Sequence, residues 1–139
     1  MDSVFTKIIK KEISSYTVYE DSDVIAFLDI NPIKMGHTLV VPKKQIDYIF
    51  DLDNDDYNKL WTTTKKIANG LRKSVVCRRV GISVVGFEVP HCHIHLIPIN
   101  TISDMNLDNI YDHNSAEMTE IAERIKKILK ISLLFWDFS

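Results

Sequence analysis

The residues best suited to chemistry are crowded into one short stretch, His91-Cys92-His93-Ile94-His95-Leu96-Ile97-Pro98. It holds three of the five histidines in the chain. In an extended segment side chains alternate between faces, so His91, His93 and His95 share one face at intervals of about 6.5–7 Å. Cys92, Ile94 and Leu96 take the opposite face and suit a core. A neutral imidazole can attack phosphorus and form a covalent intermediate. Its neighbours can orient it, stabilise charge on the phosphoryl oxygens and protonate the leaving group. Histidine suits all three tasks because its ordinary pKa lies near 6.5. Two other readings compete. A solvated polar sheet face is one, although such faces favour Thr, Lys and Glu. A metal site is the other: histidines at i and i+2 are common ligands, and His37 or Asp29 can complete the set. Only nucleophilic catalysis gives every member of the row a role.

Several elements must position this row. Ser3 to Lys11 reads as a short helix with Val4, Phe5, Ile8 and Ile9 on one side. Thr17 to Glu20 and Val24 to Leu28 read as strands joined by the turn Asp21-Ser22-Asp23. Asn31-Pro32 breaks the chain, Gly36 opens a strand through Val41, and Pro42 ends it. Asp53 to Lys73 carries the strongest helical period, in Tyr57, Leu60, Trp61, Thr64, Ile67, Ala68 and Leu71, with Asp53 or Asn54 as its cap. The aromatic pair Tyr57 and Trp61 reads as core packing rather than a ligand shelf. Val80 to Val85 and Cys92 to Ile97 read as strands, the second closed by Pro98. A last helix from Ser115, its expected cap, to Leu129 buries Met118, Ile121, Ala122, Ile125 and Leu129. The result is an α+β fold: one antiparallel sheet with a long central helix and a C-terminal helix, in a single domain over residues 1–139.

Composition bounds the function. At 45% hydrophobic residues the chain can bury a core, and a net charge of −2 builds no basic field for nucleic acid. Cys77 and Cys92 form neither a CxxC pair nor a disulfide framework, so a reducing, cytoplasmic setting is expected. The opening MDSVFTKIIKKEI mixes charges into its apolar residues and is not read as a signal peptide. No apolar run reaches about 18 residues, so no membrane span is expected. The apolar tail Ile131 to Ser139 is expected to pack on the body or on a partner subunit.

The triad segment resembles the His-φ-His-φ-His-φ-φ signature of the histidine-triad (HIT) superfamily, φ being apolar. The resemblance extends upstream to Phe27-Leu28-Asp29-Ile30-Asn31-Pro32, to Gly36-His37-Thr38-Leu39-Val40-Val41-Pro42-Lys43, and to the helix that begins at Ser3. Gly86-Phe87-Glu88-Val89-Pro90 is similar to the stretch leading into the triad. It implies a nucleotide-binding hydrolase or transferase, nearest the phosphoramidase branch, that attacks the α-phosphate of nucleoside 5′-phosphate derivatives. The substrates implied are phosphoramidates, acyl-adenylates or dinucleoside polyphosphates of purine nucleosides. It implies His93 as nucleophile, His95 as phosphate contact and acid, His91 as its support, and His37 packed behind. It also implies Asp29 on the ribose hydroxyls with Ile30 beside it, and Phe5, Ile8, Ile13 and Phe27 around the base. Backbone donors near Gly86, with Phe87 and Glu88, are expected beside the phosphate, where a glycine permits close approach.

This chain differs from many relatives in carrying Gly86-Phe87-Glu88 where they carry Gly-Gln, on a shorter loop. Zinc-binding relatives place Cys-x-x-Cys near the start, where this chain has Val4-Phe5-Thr6-Lys7, so no metal and no cofactor are expected. The resemblance also implies a homodimer with sheets joined across a two-fold axis. A metal-dependent hydrolase and a non-catalytic nucleotide sensor remain the alternatives.

Overall fold

Alternating apolar residues and well-placed turn chemistry build the sheet that carries the histidines. A computed structural model describes residues 1–136. Strands β1 (Thr17–Glu20), β2 (Val24–Leu28), β3 (Thr38–Pro42), β4 (Arg79–Ser83) and β5 (Ile94–Ile99) pair antiparallel in the order β1-β2-β3-β5-β4. The β1–β2 hairpin closes because the Asp21 carboxylate accepts the Asp23 and Val24 N–H groups, each at 2.8 Å. Every residue of β2 and β3 is buried. These central strands therefore have core on both faces.

One face carries the larger core. Val24, Ala26 and Leu28 of β2, Val40 of β3, and Ile94 and Leu96 of β5 meet Leu60, Ile67 and Leu71 of α2 (Asn54–Ser74). Met118, Ile121, Ala122, Ile125 and Leu129 of α3 (Ser115–Trp136) join the same cluster, and so does Cys92, as its place in the alternation requires. The other face holds a smaller cluster, Ile25 and Phe27 of β2, Leu39 and Val41 of β3, and Phe5 and Ile8 of α1 (Val4–Ile9). The triad opens on this smaller side. No described helix is long and apolar enough to cross a membrane.

Caps explain where the helices begin. The Ser3 side chain accepts the Thr6 N–H at 3.0 Å, and the Asp53 side chain accepts the Asp56 N–H at 2.9 Å. α3 departs from expectation: its cap is Asn114, whose Oδ1 accepts the Glu117 N–H at 2.9 Å, and Ser115 is already helical. That helix also runs past Leu129 to Trp136, taking in most of the apolar tail, with Ile131 and Leu134 exposed. Residues 137–139 of the expected packing tail lie outside the described residues.

Two further boundaries differ. β4 ends at Ser83, leaving Val84 and Val85 in the following loop. β5 runs through Pro98, which pairs with Val80. The Arg78 N–H donates to the Ile99 carbonyl, so Ile99 points its backbone groups at β4, and by alternation Pro98 points its own toward β3. The β3 pairing has already ended at Thr38↔Leu96. Proline therefore costs the ladder no hydrogen bond there.

Candidate functional site

Register sets the first part of the site. Phe27 pairs with Leu39, and Leu39 pairs with His95, so one row across the sheet presents an aromatic, an aliphatic and an imidazole on the α1 side. His91 and His93 lie just ahead of β5 rather than within it. The reason is local: the Pro42 carbonyl, which a longer ladder would use, accepts the His91 Nε2–H at 2.7 Å. The Cys92 N–H turns instead to the Ile46 carbonyl at 2.7 Å. Alternation still holds, and the His93 and His95 rings lie 5.0 Å apart.

Hydrogen bonding determines where each neutral ring carries its proton. A carbonyl only accepts, so His91 is protonated on Nε2 and its Nδ1 accepts from the Ser3 hydroxyl at 2.8 Å. The His93 Nδ1–H donates to the His91 carbonyl at 2.8 Å, which leaves a lone pair on His93 Nε2. From the other side, the Ile33 N–H donates to His37 Nδ1 at 3.1 Å. The proton of His37 therefore sits on Nε2 and is given to His95 Nδ1 at 2.9 Å. His95 keeps its own proton on Nε2. A bare nitrogen on His93 thus stands beside an N–H on His95, the pair that a nucleophile and a donor require.

Burial keeps His37, His91 and His95 neutral. His37 is pushed down to about 3 by desolvation, with smaller contributions from His95 and His93. His95 is pushed down to about 4, again by desolvation and then by His93, and burial lowers His91 as well. Asp29 moves the opposite way, raised first by desolvation against the pull of the Asn31 N–H, with the Glu88 charge adding to the rise. Its Oδ1 accepts that N–H at 2.9 Å. Its other oxygen, Oδ2, lies 3.5 Å from His37 Nε2, so the turn-forming carboxylate also borders the histidines.

Asp29, His37 and His95 offer ligand atoms within 4.8 Å of one another, a possible cation set. Both His37 nitrogens and His95 Nδ1 are already engaged, however: a cation held by His37 would displace part of the Ile33–His37–His95 chain of hydrogen bonds. His91 has both nitrogens occupied, by Pro42 and Ser3, so the row of three does not gather as ligands.

Two adjoining cavities meet at His93 and His95. The larger, about 520 Å³, is bordered by Phe5, Ile8, Ile13, Phe27, Asp29, Ile30 and Glu88, together with both histidines. Phe5, Ile8 and Phe27 are also buried core, so packing and lining are one role here. Phe5 meets the His93 ring edge-on at 5.0 Å. The smaller, about 280 Å³, shares Asp29, Glu88, His93 and His95 and adds His37, Gly86 and Phe87. His91 borders neither, its ring being held by Ser3 and Pro42. Gly86 has a φ of +84°, the left-handed region that favours glycine, and nothing lies within 4 Å of where its Cβ would stand.

Sequence reasoning missed Ser14 to Tyr16, Leu39 and Val89 in the larger cavity and Leu107, Asp108 and Ile110 in the smaller. The strand alternation of Phe27 and Leu39 was a usable signal for Leu39. The segment around Asp108 has no periodicity, and its placement comes from a distant bond, the Tyr111 N–H to the Pro32 carbonyl at 3.0 Å. His93 borders a third cavity of about 490 Å³ with Tyr48, Phe50, Tyr57 and Trp61. Tyr57 and Trp61 pack on the larger core as expected and also wall this space.

A five-stranded antiparallel sheet presenting imidazoles of fixed tautomer to a two-part cavity defines a histidine-triad nucleotide-binding hydrolase or transferase. The HIT domain family matches residues 10–102, and the chain belongs to it. An uncharacterized HIT-like protein of Methanocaldococcus jannaschii is 36% identical over 128 residues, covering 88% of this chain and 98% of that one. The adenosine 5′-monophosphoramidase HNT1 of Saccharomyces cerevisiae is 34% identical over 97 residues, covering 68% and 61%. The crystal structure of a Hit-like protein from Bartonella henselae superposes with a TM-score of 0.79 at 31% identity, covering 91% of this chain and 96% of that one.

Proposed function

We propose that the chain hydrolyses nucleoside 5′-phosphate derivatives at the α-phosphate through a covalent nucleotidyl–His93 intermediate. The observation that carries this reading is the tautomer pattern, a lone pair on His93 Nε2 beside an N–H on His95 Nε2. The purine occupies the apolar slot of Phe5, Ile8, Ile13 and Phe27, and Asp29 accepts from the ribose hydroxyls. In the first step the His93 Nε2–P bond forms as the bond from phosphorus to the leaving group breaks. The leaving atom takes the His95 Nε2 proton, which solvent replaces. The positive charge on the imidazole ring of His93 is supported by the His91 carbonyl at Nδ1. In the second step water attacks phosphorus, the P–Nε2 bond returns its electron pair to His93, and the proton taken up is released. His91 is a positioning residue, fixed by Ser3 and Pro42.

Intact-mass measurement after mixing with an adenosine 5′-phosphoramidate tests this. Wild type should gain one adenylyl group, and His93→Ala should gain none while still binding the monophosphate. An adduct of equal mass on His93→Ala refutes the assignment. A homodimer joined at β4 belongs to the same reading: β4 is an edge strand, and Ile82 on it and Val84 and Val85 just after it are exposed. Sedimentation at micromolar concentration tests it, and a monomer there refutes it. A cytoplasmic setting fits two free thiols, Cys77 and Cys92.

A further inference from the structure

The smaller cavity contains the His95 donor and therefore receives the leaving group, if the reading above holds. Its charged lining is Asp29, Glu88 and Asp108. Asp29 and Glu88 border both cavities and Asp108 the smaller alone; with Asp29 given to the ribose hydroxyls, Glu88 and Asp108 are left for the departing group. Among the described residues, no lysine or arginine borders this cavity or the larger one. Lys43, Lys44 and Lys59 border a separate depression and are paired with Glu20, Asp56 and Asp23. The field of Glu88 is felt within the site, because it helps to raise the Asp29 carboxyl.

A second phosphate would therefore enter a space lined by three carboxylates and by no lysine or arginine among the described residues, and like charges held close disfavour binding. A positively charged group would find two partners there. Leu107, Ile110 and Phe87 supply apolar surface along the same wall, suited to a short methylene chain.

We propose that this cavity selects a single-phosphate substrate whose leaving group is an amine bearing a second, positive charge, with Glu88 and Asp108 as the specificity-determining residues. This rests on the proposed displacement at His93 and deepens it. Dinucleoside polyphosphates are then poor substrates, and cationic phosphoramidates good ones. The loop that carries Asp108 is thereby assigned a function. It lies outside the triad and the motif that precedes it, pinned by Tyr111 to Pro32.

Three adenosine 5′-phosphoramidates of equal chain length test the proposal, ending in an ammonium, a methyl or a carboxylate group. At low salt, kcat/KM should be about tenfold higher for the ammonium than for the carboxylate compound, from two charge contacts near the surface. The ratio should fall toward one in Glu88→Gln/Asp108→Asn and in 0.5 M salt, and should invert in Glu88→Lys. Because the readout is a ratio within one protein, a general loss of activity does not imitate it. AMP inhibition of each variant reports whether the nucleoside side is intact. Equal rates for all three compounds in wild type, or a ratio unmoved by Glu88→Lys, overturns the proposal and leaves the histidine chemistry standing. No turnover of any compound refutes the histidine reading and this one with it.

Discussion

His37 touches neither proposed substrate group by its own charge, yet it determines what His95 can do. Its Nε2–H is given to His95 Nδ1 at 2.9 Å, while its Nδ1 takes the Ile33 N–H. Both rings are buried, at 1% and 6% exposure, so neither bond is replaced by water. His37→Leu removes the bond that keeps the His95 proton on Nε2. The same bond also supports the charge left on the His95 ring as its proton departs, and a buried hydrogen bond of this kind is worth about 1–3 kcal/mol there, equivalent to about 5- to 150-fold in rate. The substitution should lower kcat by that factor for an alkylamine leaving group, which needs a proton to depart. For a nitrophenyl ester of the same nucleotide, which leaves as a stable anion, kcat should change by less than about threefold. His37→Gln can offer a donor to His95 and an acceptor to Ile33, and should recover most of the loss. Steady-state kinetics on both substrates, with KM and kcat separated, reads the outcome. An equal loss on the two leaving groups would refute the tautomer argument and leave His37 as packing alone.

Acid should unfold the protein through the same rings. In the unfolded chain histidine binds a proton near pH 6.5, whereas folded His37 and His95 resist until about 3 and 4. Stability therefore holds above pH 6.5 and falls as pH drops from there toward 4, by about 1.4–2.7 kcal/mol per pH unit for the pair. Urea titrations at pH 7.5, 6.0 and 5.0 measure this, and a flat profile refutes it. Ser3→Ala removes both the α1 cap and the partner of His91 Nδ1, and should cost roughly 2–4 kcal/mol in the same titration. A loss below about 0.5 kcal/mol would show the Ser3–His91 bond to be dispensable. Asp29→Asn should raise KM for a ribonucleotide substrate about 10- to 100-fold and leave a 2′,3′-dideoxy analogue nearly unaffected. Equal effects on both sugars count against ribose contact.

Much of this was legible in the residues because two periods dominate. Alternation alone put His93 and His95 opposite Ile94 and Leu96, and the three-and-four spacing of Leu60, Ile67 and Leu71 put α2 on the larger core. The resemblance added His37, Asp29 and the apolar slot, all of which border the site. What failed depended on partners distant in sequence. The start of β5 is decided by the Pro42 carbonyl, and the tolerance of Pro98 by where β3 stops. Nothing local to Leu107, Asp108 or Ile110 announces a cavity wall. The tautomers, too, are unreadable from spacing, since Ile33, His91 and Pro42 act through backbone groups that every residue type shares.

The bond between Ser3 and His91 spans 88 positions. α1 has only six residues, too few to persist in water without packing. Synthesis at roughly 5–20 residues per second separates the two ends of that bond by about 4–18 s. During that interval Phe5 and Ile8 have neither their imidazole neighbours nor a settled place. α1 therefore docks only after His91 has been made, and the reaction centre comes into being when that short helix closes over a strand synthesised well after it.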